Sequence, residues 1–201
     1  DMLWFYVRLY GINVTDLMQG PVYGIFTKNQ LSKERGFETS LMYDDIFGTV
    51  VNRFLVQSII GTPLTVYGKG EQIRGYLNIR DTLQCVDLAM HNPPKVGELN
   101  IFNQFTETFS VNELATKISE VAREMGFPGL VKNIENPRKE MEEHYYNPSS
   151  SKFSELGLQP HFMTKNTIAE MFETLLPFKD YIDEDKIRPR VVWNDKLGKK
   201  R

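Results

Sequence analysis

The 201-residue sequence has a single cysteine, Cys85, which excludes an internal disulfide framework, and the apolar run around it predicts a buried helical thiol. The sequence lacks any apolar run long enough to span a bilayer, and its first residues do not have the pattern of a signal peptide. The formal net charge of −2 gives no strong field of either sign. These absences predict a globular cytoplasmic protein with no membrane role and no nucleic-acid partner.

Common catalytic signatures are missing as well. The chain has no clustered cysteines and histidines at metal-ligand spacing, no Gly-x-Ser-x-Gly elbow and no Walker loop. Its histidines are isolated in the sequence, and the carboxylates Glu140, Glu142 and Glu143 are typical of a solvated helix face. We therefore expect no metal site and no catalytic residue in this chain, and binding becomes the leading hypothesis.

Apolar segments that alternate with glycine and proline turns predict an α/β fold. Residues 1–10 are typical of a helix with a glycine cap, and residues 13–17 of the strand that follows it. Because a domain boundary normally falls in a polar linker, this apolar opening indicates a piece of a longer protein. The opening helix should then expose an apolar patch made of Leu3, Trp4, Phe5 and Val7.

Two helices are predicted from apolar spacing behind an acidic cap. The first begins at Asp44 or Asp45 and buries a face that includes Phe47. In the second, Asp81 caps residues 82–90.

Later segments follow the same logic. Residues 110–113 match the capping-box pattern and predict a helix to about residue 125. Strands are expected over residues 98–102 and 130–134, and Asn166 is expected to cap a final helix.

Residues 61–81 carry the clearest local pattern. They are typical of a strand, a glycine turn and a second strand, which predicts a hairpin-like unit. Gln72 and Arg74 would lie at its mouth, where a guanidinium can hold a phosphate through two parallel hydrogen bonds. An arginine beside a glycine turn is, by itself, more often a solvated surface residue.

Polar residues from separate segments extend this unit into a candidate binding constellation. Its members are Thr49, Gln72, Arg74, Asn103 and Arg138. Two guanidinium groups and several neutral hydrogen-bonding groups suit a nucleotide-sugar ligand. Residues 25–43, which have no clean period, are either a functional lid or a mobile insertion.

Several motifs resemble those of the extended short-chain dehydrogenase/reductase family of nucleotide-sugar epimerases and dehydratases. They are GPVYG at 20–24, LTVYGKG at 64–70 with Arg74, IRD at 79–81 and SVNELA at 110–115. A closer likeness, to the UDP-sulfoquinovose synthases of that family, lies in DLMQG at 16–20, DIFGTVVNRF at 45–54, GYLNIRD at 75–81, FNQFTE at 102–107, NPR at 136–138 and EEHYYN at 142–147.

The resemblance implies a Rossmann-fold enzyme with tightly held NAD, which converts UDP-glucose and sulfite to UDP-sulfoquinovose and forms a homodimer. It implies that Gln19 and Val22 lie near the nicotinamide, with Thr65, Val66 and Tyr67 near uracil. The UDP-sugar would contact Thr49, Asn52, Gln72, Arg74, Asn103 and Arg138. A photosynthetic eukaryote as the source would imply the plastid stroma instead of the cytoplasm.

The family's glycine-rich turn and its Tyr-x-x-x-Lys pair are missing here, and the resemblance places both upstream of Asp1. By the same likeness, residues 1–24 are the last helix and strand of a Rossmann domain whose N-terminal βαβ half is absent, and residues 25–44 are a lid-like loop. Residues 45–190 are mainly a UDP-sugar domain with return segments to the Rossmann sheet, and residues 191–201 are a loose basic tail. Two alternatives stay open: another NAD-dependent nucleotide-sugar epimerase or dehydratase, and a non-catalytic nucleotide-sugar binding fragment.

Overall fold

The structure, a computed structural model, describes residues 2–25, 41–136 and 148–187. The helices are α1 (Met2–Tyr10), α2 (Val50–Ile59), α3 (Ile79–His91), α4 (Val111–Glu124), α5 (Ser151–Glu155) and α6 (Lys165–Leu175), followed by 3-10 helices at Leu176–Tyr181 and Glu184–Lys186. The strands are β1 (Val14–Gln19), β2 (Val22–Tyr23), β3 (Leu64–Tyr67), β4 (Ile73–Asn78), β5 (Leu99–Gln104), β6 (Glu107–Ser110) and β7 (Val131–Ile134). Most of the lid-like segment, Arg138 and the basic tail lie outside the described residues.

The chain divides into two compact units. The first unit comprises Asp1–Phe37, Gly75–Thr108 and Asn147–Phe162, and the second comprises Glu38–Arg74, Phe109–Tyr146 and Met163–Arg201. Each unit is therefore assembled from three separate stretches of the chain.

In the first unit, β1 and β5 form a parallel pair. The register runs from Val14 opposite Leu99 to Gln19 opposite Gln104, so both carboxyl ends meet at one edge. A small core lies beside this pair, built from Cys85 and Ala89 of α3 with Phe102 and Phe153. The prediction of a buried helical thiol at Cys85 is confirmed, and burial raises the pKa of that thiol to about 11.

In the second unit, β3 pairs in parallel with β7 beside the helices α2, α4 and α6. The capping box at the start of α4 is confirmed, because the Ser110 hydroxyl accepts from the Glu113 N–H and the Glu113 carboxylate accepts from the Ser110 N–H. The Ser110 backbone N–H and, to a smaller extent, the Ser110 hydroxyl donate hydrogen bonds to the Glu113 carboxylate, and these two bonds lower the pKa of Glu113. The expected inward face of α4 is also confirmed, with Leu114, Ile118, Val121 and Ala122 buried.

The predicted hairpin over residues 61–81 is wrong. Both strands exist, but β3 pairs with β7 and β4 pairs with β2 and β6. The glycine turn does form, with Gly68 and Gly70 at positive φ, yet it joins strands of different sheets. Local strand propensity identified the elements, whereas their partners lie far away in the sequence.

Helix α2 begins later than predicted. Asp44 caps a short turn instead, where its carboxylate accepts from the N–H groups of Ile46 and Phe47, and Thr49 is the N-cap of α2. Phe47 is consequently 76% exposed rather than buried.

Helix α3 begins earlier than predicted. Its N-cap is Asn78, whose side chain accepts from the Arg80 N–H at 3.0 Å, and Asp81 lies within the first turn. The final helix also has a different cap, because Thr164 rather than Asn166 precedes α6.

Helix α1 exposes apolar side chains, as predicted. Leu3, Trp4 and Phe5 are all exposed, with Phe5 at 61%, whereas Val7 is buried at 0% and departs from the prediction. Gly11 caps the helix at a φ of 62°, a left-handed conformation that suits glycine.

Candidate functional site

The predicted site residues of the second unit begin at the start of α2. Thr49 is half-buried, and its hydroxyl accepts from the Asn52 N–H at 3.3 Å. The buried Asn52 side chain donates to the Met42 carbonyl at 2.9 Å. Both side chains therefore stabilise the entry into α2, and a ligand would have to share these groups.

Strand β3 follows α2 and carries three predicted contacts to uracil. Val66 is fully buried, so its side chain belongs to the core of the second unit. Thr65 and Tyr67 are half-buried and point to the opposite face from Val66, because side chains alternate along a strand.

The glycine turn after β3 is held by asparagines from two other elements. Asn112 of α4 donates from its side chain to the Lys69 carbonyl at 2.8 Å, and its backbone N–H donates to Gly70. Asn133 of β7 donates to the Gly68 carbonyl at 2.9 Å. The turn that leads to Gln72 and Arg74 is thereby fixed in shape.

Gln72 and Arg74 follow this turn and are both half-buried. The Arg74 guanidinium donates to the carbonyl of Ile73 at 2.8 Å. Among the described residues this bond engages one of its five N–H donors, and a bidentate contact needs two of them.

The first unit holds the remaining predicted residues. Gln19 lies exposed at the end of β1 and donates to the Thr82 hydroxyl at 3.4 Å, and Val22 is half-buried on β2. The Asn103 side chain donates to the Ser149 carbonyl at 2.8 Å. In the β1–β5 register Asn103 pairs with Met18, so Asn103 and Gln19 project from opposite faces of this two-stranded sheet.

A buried charged cluster in the first unit was not predicted. Asp81 is fully buried, and its carboxylate accepts from the His161 backbone N–H at 2.9 Å, from the His161 Nδ1 at 2.7 Å and from the Gln84 side chain at 3.1 Å. The Tyr23 hydroxyl lies 2.6 Å from the Glu107 carboxylate. Burial, followed by that hydrogen bond, raises the pKa of Tyr23 well above its ordinary value.

Two residues of α2 were also missed, although the sequence carried a signal for them. Arg53 and Gln57 are four residues apart in the segment predicted as a helix, so they lie on one face of it and give that face two polar groups. Both reach Thr65 of β3.

Within residues 2–25, 41–136 and 148–187, no group of three or more histidine, cysteine, aspartate or glutamate side chains is placed to hold a metal ion. In the same ranges, every helix is too short or too polar to span a bilayer.

No family model matches the chain. It is 45% identical over 196 residues to the chloroplastic UDP-sulfoquinovose synthase of Spinacia oleracea, and 42% identical over 195 residues to that of Sulfolobus acidocaldarius. These matches cover 98% and 96% of the chain, which spans only 40% and 49% of the two relatives. A shorter match, 36% identical over 74 residues, covers 37% of the chain and 16% of UDP-glucuronic acid decarboxylase 1 of Arabidopsis thaliana.

Solved structures give the same fold. UDP-glucose 4-epimerase of Thermotoga maritima, solved with UDP-glucose, matches with a TM-score of 0.63 at 21% identity, over 90% of this chain and 51% of its own. The dTDP-glucose 4,6-dehydratase of Streptomyces venezuelae, solved with NAD, matches with a TM-score of 0.62 at 17% identity, over 90% and 49%. The predicted resemblance and fold class are confirmed: nearly the whole chain is similar to UDP-sulfoquinovose synthases, and its fold is the Rossmann-type fold of NAD-dependent epimerases and dehydratases.

Proposed function

We propose that this chain is the UDP-sugar-binding part of an NAD-dependent enzyme that converts UDP-glucose and sulfite to UDP-sulfoquinovose. The observation that carries the proposal is the identity of 42–45% along 96–98% of the chain with two UDP-sulfoquinovose synthases, one from a plant and one from Sulfolobus acidocaldarius. Formation of a sulfonated UDP-sugar by a full-length protein that contains this chain tests the reaction itself.

In this proposal the second unit binds the nucleotide. Thr65, Val66 and Tyr67 of β3 lie near the uracil, and Arg74 holds the diphosphate through charge-assisted hydrogen bonds. The turn held by Asn112 and Asn133 supports this role. Because its backbone is already ordered before the ligand binds, binding costs less conformational entropy. The sugar and phosphates would also contact Thr49, Asn52, Gln72, Asn103 and Arg138.

NAD is the proposed cofactor, with Gln19 and Val22 beside its nicotinamide. The residues present fit such a group. Gln19 is exposed at the carboxyl end of a parallel strand, which is where open α/β sheets bind their ligands. At the next position, Gly20, a Cβ atom would lie 2.4 Å from the Gly75 carbonyl oxygen, so only glycine fits this close backbone approach. When bound, NAD would supply the hydride chemistry, while residues of this chain orient the sugar and hold its diphosphate.

Arg74→Ala is expected to weaken UDP-glucose binding by about 1.5–3 kcal/mol, or roughly tenfold to more than a hundredfold, because a charge-assisted phosphate contact is lost. Isothermal titration of a full-length protein measures the change. Lys179→Ala removes the same charge from an exposed position outside the proposed site and should leave the affinity unchanged. If the unmodified protein, Arg74→Ala and Lys179→Ala bound UDP-glucose with equal affinity, Arg74 would not belong to the site.

A second candidate function is another nucleotide-sugar reaction. It is favoured by the local 36% identity to a UDP-glucuronic acid decarboxylase, which covers 74 residues. An enzyme of that kind would turn over its UDP-sugar without incorporating sulfur. A non-catalytic nucleotide-sugar binder would bind UDP-glucose and yield no product.

A further inference from the structure

We propose that Arg53 and Gln57 are positioning residues that set the affinity of this protein for the uracil end of its ligand. This inference rests on the proposed function, which places uracil against β3. Both residues lie on α2 and contact the strand residue Thr65 directly, entirely within the second unit.

Gln57 holds Thr65 at two points. Its side-chain NH₂ group donates to the Thr65 hydroxyl at 2.9 Å, and its side-chain oxygen Oε1 accepts from the Thr65 backbone N–H at 3.1 Å. Gln57 is only 4% exposed, so its side chain forms these hydrogen bonds away from bulk water. A donor or acceptor left without a partner at such a position is costly. The pair fixes both the backbone and the side chain of one strand residue.

Arg53, one turn earlier on α2, also contacts Thr65. Its guanidinium donates to the Thr65 carbonyl at 2.9 Å and lies 4.1 Å from the centroid of the Tyr67 ring. A planar cation at this distance is attracted to the ring face, so Arg53 also orients Tyr67. One side chain thereby links the two strand residues that share a face of β3.

Strand β3 is held from both edges as a result. On one edge, the Leu64 N–H donates to Leu130 and the Gly68 N–H donates to Ile134, so alternate residues are engaged in pairing with β7. On the other edge, the backbone of Thr65 is occupied by Arg53 and Gln57. A strand fixed in this way presents Tyr67 to a base in one conformation and loses little entropy when the base binds.

Two simple probes separate the contribution of the base to binding from that of the diphosphate. UDP reports on the base and the diphosphate together, whereas inorganic pyrophosphate reports on the phosphate contacts alone. Isothermal titration of a full-length protein with each probe, below the melting temperature of every variant, then distinguishes loss of base positioning from general damage to the site.

Gln57→Leu is expected to weaken UDP binding about tenfold and to leave pyrophosphate binding unchanged. Gln57→Glu should recover most of the UDP affinity, since a carboxylate accepts from the Thr65 N–H and the Thr65 hydroxyl can turn to donate to it. Arg53→Lys keeps the charge but loses the planar group, and it should also weaken UDP selectively. It provides an independent test if Gln57→Leu folds poorly.

Unchanged UDP affinity in both Gln57→Leu and Arg53→Lys would overturn the inference. So would a parallel loss of UDP and pyrophosphate binding, which is the signature of a merely structural role. An unmodified full-length protein that does not bind UDP at all would overturn the proposed function itself, and this inference with it.

Discussion

Replacement of Asp81 by asparagine is expected to lower the free energy of unfolding by about 2–4 kcal/mol. The carboxylate is fully buried and accepts hydrogen bonds from the backbone and ring of His161 and from Gln84. Asparagine keeps one acceptor oxygen but turns an NH₂ group toward these donors, which leaves that NH₂ group unpaired. The cost is large because position 81 is fully buried, so water does not solvate the unpaired NH₂ group.

Urea unfolding followed by circular dichroism measures this effect, with Asp87→Asn as the control. Asp87 lies on the same helix and also neighbours a histidine, His91, but its side chain is 71% exposed. A surface pair of this kind contributes little, so the control should change stability by less than about 0.5 kcal/mol. Equal effects at the two aspartates would contradict the importance that we give to the buried cluster.

Gly20→Ala is expected to cost about 3 kcal/mol, because an added methyl group overpacks the first unit. The new Cβ atom would lie 2.4 Å from the Gly75 carbonyl oxygen and 3.4 Å from that of Gln104. Both are backbone atoms, and the Gly20 N–H itself donates to the Gln104 carbonyl, so a change of rotamer cannot relieve the clash. The backbone of the β1 end must shift, which would also displace the proposed cofactor contact Gln19.

Gly126→Ala supplies the matched comparison. Gly126 has a φ of 87°, but a Cβ atom added there meets nothing within 4 Å, so alanine brings conformational strain without a clash. We expect a cost of about 1 kcal/mol at this position. The close approach at Gly20 would be disproved if the two alanine variants had the same melting temperature.

Structural features that depend on residues close together in the sequence could be predicted. The capping box of Ser110 and Glu113 lies within four residues and is confirmed, as is the glycine cap of α1. Features that depend on distant partners were not predicted. The β3–β4 hairpin is wrong because β3 pairs with β7, whose residue Val131 lies opposite Leu64.

The same distinction applies to the candidate site. The motif around residues 61–81 predicted a nucleotide-binding segment, and its glycine turn is present. Asp81 was interpreted as a helix cap because that role can be read from its immediate neighbours. Its partner His161 lies 80 residues later, and no periodicity in the sequence links the two. The contacts of Arg53 and Gln57 with Thr65 likewise depend on how α2 packs against β3.

The most direct test of the proposed function is a mass-resolved product assay. A full-length protein that contains this chain would be incubated with UDP-glucose, NAD and sulfite, and the UDP-sugars would be separated by mass. We predict a product that carries a sulfonate group. A UDP-sugar of unchanged mass, as an epimerase would give, or the absence of any product, would contradict the account.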